Sequence, residues 1–255
     1  MSKNKNLFEN PFLGEHLDEE IEAKNNLTYW FPILEKIRMR VPKTIIVHTG
    51  GVNLLELVDG KIPDGYMQFH KRLLDAIRQI GFPCFLRSGM TSDKHSWKRS
   101  CYITAESDLK EHLTTIIETS IMANIAGYPF DTSFWAIREL IQTEPLFHAF
   151  EEMPITKERR IFIKNGEVIC NHPYWPDEAF ENYKDKIPDY RKKMKELQSL
   201  SEDEERELNL MAKYIGRFFK GFWSVDFLRD VEGKWYCIDM AVGERSYHFV
   251  ECKNT

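Results

Sequence analysis

The sequence lacks several features that would point to common function classes. Its five cysteines, Cys84, Cys101, Cys170, Cys237 and Cys252, are odd in number and contain no CxxC pair. Four of them lie in or beside apolar, strand-like sequence, so they read as small buried hydrophobes in a reducing cytoplasm, and no zinc site is expected. Positive charge is not in excess. A formal net charge of −5 and a pI near 6.0 give no field for a nucleic-acid backbone. No apolar run is long enough to span a membrane, and the polar start MSKNKN is not a signal peptide. Internal repeats and low-complexity segments are absent. What remains is a chain of 255 residues, 42% hydrophobic, able to bury a real core as one large domain or two lobes.

The most informative stretch is WSVDFLRDVEGKWYCIDMAVGERSY, Trp223 to Tyr247. Trp223, Val225 and Phe227 alternate with Ser224, Asp226 and Leu228, and a second apolar run, Trp235 to Met240, follows the turn residues Glu232 and Gly233. Each predicted strand carries one carboxylate, Asp226 and Asp239. An ionised carboxylate in apolar strand sequence is costly unless a metal or a cation compensates it. Paired across a hairpin, the two carboxylates suit a shared magnesium ion; the alternative is that both merely flank turns, or that each meets an arginine in a structural pair.

Earlier in the chain, Thr28 is the expected N-cap of a short helix, TIIVH (44–48) reads as a buried strand, and Met67 to Ile80 as an amphipathic helix. FPCFLRS (82–88) reads as a strand ending near Arg87. The small polar loop GMTSDKHSW follows, and a strand is expected from Trp97 to Thr104. With Gly89 as its one glycine, the loop is no P-loop on pattern, yet Arg87 and Lys94 suit phosphate charge. Ser107 opens a helix expected to run through Ala126. FWAIRELI (134–141) reads as a strand interrupted by Arg138 and Glu139. ERRIFIK, Asn165-Gly166 and the residues after it form a hairpin with a type I′ turn. Alternation puts Glu158, Arg160 and Phe162 on one face and Arg159, Ile161 and Ile163 on the other. Ser201 and Glu204 form a capping box for a helix to about Phe219, with Leu208, Met211, Ile215 and Phe218 inward. The basic run RKKMK at 191–195 reads as a solvated helix face.

In their order and combination, these pieces resemble the ATP-grasp superfamily. VDF, a glycine turn, an aromatic strand, ID and a Gly-Glu-Arg-Ser tail are similar to its metal-binding hairpin, and the abundance of arginine resembles its arginine-rich clade. The resemblance covers roughly 82–247. It implies an α+β fold: two α+β lobes with antiparallel sheets hold ATP between them, and a small N-terminal α/β lobe precedes them. The expected segments are 1–81, 82–141 and 142–255. It implies metal binding by Asp226 and Asp239; Ala241 stands where the family carries Asn, and Glu244 is the nearest replacement ligand. Arg87, Lys94, Glu139 and Glu158 fall at nucleotide-binding positions, and Arg138, Arg160 and Arg245 are the candidate catalytic cations. The implied cofactors are ATP and magnesium. The implied reaction joins a small-molecule or peptide carboxylate to an amine or similar nucleophile through an acylphosphate. A rival from the same superfamily is an ATP-binding partner protein without ligase turnover, of the kind that assists assembly of a translation initiation factor in eukaryotes.

Overall fold

The computed structural model describes residues 19–125, 127–128 and 130–253. The polar opening stretch and Ala126 lie outside them. In chain order the elements are α1 (Glu19–Ala23), α2 (Leu27–Lys36), β1 (Thr44–His48), α3 (Tyr66–Ile80), β2 (Cys84–Ser88), β3 (Tyr102–Ile103), α4 (Leu109–Ile125), β4 (Phe134–Glu139), β5 (Phe147–Ala149), β6 (Met153–Ile155), β7 (Glu158–Lys164), β8 (Glu167–Pro173), α5 (Tyr190–Gln198), α6 (Glu202–Gly216), β9 (Phe222–Arg229) and β10 (Trp235–Val242). No helix among the described residues is long and apolar enough to cross a membrane.

Two four-stranded antiparallel sheets, ordered β1-β4-β2-β3 and β10-β9-β7-β8, form the frame, and β5-β6 is a separate small pair. The α+β architecture with antiparallel sheets expected from the sequence is the one the chain adopts. In the first sheet, alternation sends Cys84, Leu86, Trp135 and Ile137 to the face that packs on Phe69, Leu73 and Ile77 of α3 and Leu113 and Ile116 of α4. Each such side chain contributes about 1.5–3 kcal/mol by leaving water. The opposite face carries Phe85 across from Arg138, and Arg87 across from Ala136. A lone strand at 44–48 would leave its backbone groups unpaired; pairing with β4 satisfies them, and α3 packs on that sheet.

In the second sheet, Ile161, Ile163, Trp223, Val225, Phe227 and Trp235 pack with Leu208, Ala212 and Ile215 of α6 and with Trp30, Phe31 and Leu34 of α2. The capping box that starts α6 is formed as expected: Ser201 Oγ accepts from Glu204 N–H at 3.2 Å, and Glu204 Oε2 accepts from Ser201 N–H at 2.8 Å. The β7–β8 turn is the tight Asn165-Gly166 turn, both residues in the left-handed region.

Three local expectations are corrected. Asn26, not Thr28, caps α2, its Oδ1 accepting from Thr28 N–H at 3.0 Å. Residues 94–99 form a 3-10 turn rather than a strand, because Trp97 is drawn between Phe85 and Tyr102 into an aromatic cluster with Phe150, Trp175 and Phe180. Only 102–103 remain extended. Finally, α6 ends at Gly216, where a Cβ would sit 2.9 Å from Gly166 Cα, so Phe218 falls in a turn and is exposed while Phe219 is buried.

Candidate functional site

The site grows from the β9–β10 hairpin. Asp230 closes its turn by accepting from the N–H groups of Glu232 and Lys234 at 2.9 and 2.7 Å. On β9, period two sends Trp223, Val225 and Phe227 to the core and Ser224 and Asp226 to the cleft face. On β10, Trp235 and Cys237 start on the core face, so strict alternation would carry Asp239 there too. A register shift at Ile238 prevents this: Cys237 pairs with Phe227, and the next pair is Asp239 with Asp226. The bulge switches the phase of the strand, returning Met240 and Val242 to the core and setting the two carboxylates directly opposite each other on the cleft side.

Each carboxylate then meets an arginine. Asp226, 5% exposed, accepts a two-pronged pair from Arg160, Nε to Oδ1 and Nη2 to Oδ2, both at 2.8 Å. Burial works against the Arg160 charge, but Asp226 outweighs it and holds the guanidinium above its usual range. Arg87, from the first sheet, reaches across the cleft to Asp239 Oδ1 at 2.8 Å. Arg138 lies beside Arg87. Its Nε donates to Thr44 Oγ1 at 3.1 Å, its Nη1 donates to the bulge carbonyl of Ile238 at 2.7 Å, and its buried Nη2 has no partner. Burial, and next the Arg87 charge, push the Arg138 guanidinium down to about 9. A guanidinium does not give up its proton in proteins. The direction therefore marks a buried cation short of negative charge.

Arg87, Arg138, Asp226 and Asp239 line one side of a cavity of about 420 Å³ between the two sheets, and Arg160 reaches it only through its bond to Asp226. Lys94, at the start of the 3-10 turn, closes another side. Its Nζ donates to Glu158 Oε2 at 3.2 Å and stands 3.8 Å from the centre of the Tyr174 ring and 4.7 Å from that of Trp175. Burial opposes its charge, yet Glu158 and Tyr174 keep the ammonium above its usual range. Glu158 is fixed in turn by Trp175 Nε1, which donates to Oε1 at 3.0 Å. Glu139, at the end of β4, also lines the cavity, with Oε1 accepting from Lys43 N–H at 2.9 Å. Arg159 points to the other face of β7, to Asn171 Oδ1 and the Gln198 carbonyl.

Two candidates fall elsewhere. Glu244 is exposed on a 3-10 turn after β10 and does not line the cavity. Arg245, in the same turn, is held by Glu22 of α1. The hairpin's tail bends toward the N-terminal helix, so neither side chain joins Asp226 and Asp239. Sequence reading missed Tyr174, and the apolar wall of Phe85, Leu140, Met153, Leu228 and Ile238. The HPYW run held a signal for Tyr174. The wall held none, because its members come from separate strands and a loop.

Two antiparallel sheets enclosing a cavity of paired acidic and cationic side chains fit the ATP-grasp fold. Within that class the chain belongs to the family described as ATP-grasp domain, R-two-K clade family 3, whose model matches residues 77–251. A search of curated proteins finds no match. Among solved structures the chain is similar to C-terminally truncated Cdc123 from Schizosaccharomyces pombe, with a TM-score of 0.58 at 16% identity over 89% of this chain and 87% of that one. A second structure of Schizosaccharomyces pombe Cdc123 aligns at a TM-score of 0.54 and 17% identity, again over 89% and 87%. A D-alanine–D-alanine ligase from Bacillus anthracis complexed with ATP aligns at a TM-score of 0.46 and 10% identity, over 88% and 54%. At these identities the likeness concerns the fold.

Proposed function

We propose that the chain binds ATP with magnesium in the cavity between the sheets and transfers the γ-phosphoryl group to a carboxylate, giving ADP and an acylphosphate from which an amine or similar nucleophile then displaces inorganic phosphate. The observation that carries this reading is the facing pair Asp226 and Asp239, each compensated by an arginine and set beside Arg138, a buried cation with an unpartnered Nη2. That donor set fits the group: two hard carboxylates suit magnesium, which keeps several waters and needs no all-protein cage. Bound there, magnesium would neutralise phosphate oxygens. Asp226 and Asp239 would hold it, and with Glu244 outside the cavity, water takes the place of the family's Asn.

The chain's own residues supply the rest. Arg87, Arg138 and Arg160 present guanidinium N–H groups to phosphoryl oxygens, where charge must be stabilised during transfer. Lys94, carried by the 3-10 turn and backed by Tyr174 and Trp175, closes over the same region and excludes water. The wall of Phe85, Leu140, Met153, Leu228 and Ile238 suits an adenine ring, with Glu139 at its edge for the ribose or base. The acid is a small molecule or a peptide.

A second reading is an ATP-binding partner protein without turnover. It is favoured by Ala241, which faces Ser224 across the hairpin and offers no ligand. Incubation with ATP and magnesium, with and without small and peptidic carboxylates, separates the two. Carboxylate-dependent ADP release supports the ligase. ATP binding without ADP release under every acid tried removes ligation in favour of the partner protein, and absence of ATP binding removes both.

A further inference from the structure

Two of the five cysteines do not behave as core residues. Cys84, Cys101 and Cys237 are buried, but Cys170 and Cys252 are half-buried and lie together with His172 and His248. Each of the four offers one ligand atom, and all four atoms lie within 4.8 Å of one another. Cys170 and His172 are two apart on β8 and therefore share a face; a turn in which Cys252 N–H donates to the Phe249 carbonyl brings Cys252 back beside His248. Cys170 Sγ stands 3.0 Å from His248 Nε2, and His172 Nε2 is buried without a partner.

We infer that these residues form a Cys2His2 zinc site, which clips the tail after β10 onto the edge strand β8. Zinc prefers tetrahedral sulfur and nitrogen donors at about 2.3 and 2.0–2.1 Å, and so sets the ligand atoms roughly 3.3–3.8 Å apart. Side-chain rotation closes the difference from the observed spread. Two thiolates balance the metal's charge, the two thiol protons leaving on binding, and the paired nitrogens and sulfurs select zinc over the hard cation suited to Asp226 and Asp239. With every position taken by protein the site is a structural one. Sequence spacing concealed it because the two halves, C-x-H and H-x3-C, are separated by two strands and two helices. The site also continues the proposed nucleotide site. His172 lies opposite Arg160 in the register, Arg160 opposite Asp226, and Asp226 opposite Asp239. The zinc clip therefore holds the sheet edge next to Arg160, yet it stands whether or not the chain binds ATP.

The test is metal content of the full chain, expressed with zinc in the medium and purified under reducing conditions without chelator. Native mass spectrometry is expected to show one zinc per chain, released on titration with a thiol-blocking mercurial. Cobalt substitution is expected to give the intense visible bands of tetrahedral coordination and a thiolate charge-transfer band. Cys252→Ser and His172→Gln, made singly, are each expected to reduce bound zinc at least tenfold, with the circular dichroism spectrum of the parent retained for Cys252→Ser. Less than a tenth of a zinc per chain after reconstitution would overturn the site, as would full zinc retention in both variants. A Cys170–Cys252 disulfide in the reductant-purified chain would equally overturn it.

Discussion

Replacing Asp239 by Asn separates a metal ligand from a mere counter-ion. The Asp239 side chain is 43% exposed, whereas that of its partner Arg87 is 4% exposed. Asparagine preserves the volume and one acceptor oxygen, so the hydrogen bond to Arg87 survives and only charge is lost. Arg87 stays charged, so the remaining bond is still charge-assisted, worth about 1.5–3 kcal/mol, and what is lost is the ion-pair attraction, which the water at Asp239 screens. The expected loss of stability is therefore about 1–2 kcal/mol, below the 3–5 or so for stripping one partner from a fully buried pair, since water reaches Asp239. Function should move in two directions. Arg87 no longer has a competing carboxylate, so ATP binding without metal should strengthen about tenfold, equivalent to about 1.4 kcal/mol. On the proposed function, magnesium raises ATP affinity and supports ADP formation in the parent, and both effects should disappear. Calorimetric titration of ATP with magnesium and with EDTA, beside urea unfolding and ADP release, reads all of these. Unchanged magnesium dependence in the variant would refute the reasoning and make the hairpin carboxylates structural.

Three further outcomes follow from the same geometry. Arg160→Ala should cost about 3–5 kcal/mol by stranding Asp226 and should abolish nucleotide binding, whereas Arg159→Ala should leave ATP affinity within about twofold; equal affinity in the two variants would remove Arg160 from the site. Arg138→Met should stabilise the ligand-free chain by about 1–2 kcal/mol, because it replaces a buried cation lacking a carboxylate, and should remove stabilisation by ATP; thermal unfolding with and without nucleotide checks both. Glu204 is held below its usual range: burial raises it, but the Ser201 N–H group and the nearby Lys157 prevail. Its contribution to stability is thus present above the unfolded carboxylate range and lost as pH falls through the lower, folded value. Glu204→Gln should cost about 1 kcal/mol at neutral pH, and in acid unfolding the difference from the parent should shrink below the ordinary glutamate range and vanish once the pH is under the lowered folded value.

Local pattern in the sequence sufficed for most of the longer helices and strands and for the faces they bury, though not for the 3-10 turn at 94–99 or the short pair β5-β6. Period two in ERRIFIK put Arg160 with Glu158 and Arg159 away from them, and the structure keeps that alternation because Ile161 and Ile163 must reach the core. The Asn-Gly turn and the Ser201–Glu204 capping box were equally readable, since each is satisfied by residues close along the chain. The pairing of Asp226 with Asp239 was legible only as a possibility. Strict alternation sends Asp239 to the core with Cys237, and only the bulge at Ile238 brings it back to the cleft. Contacts between residues distant in sequence lay out of reach: the cation from the first sheet that meets Asp239, the loss of Arg245 to Glu22, and the gathering of Cys170, His172, His248 and Cys252. Local periodicity reports which side of a strand a residue takes. Which partner waits there depends on how two sheets and a returning tail pack, and packing is settled by the whole buried surface rather than by any one segment.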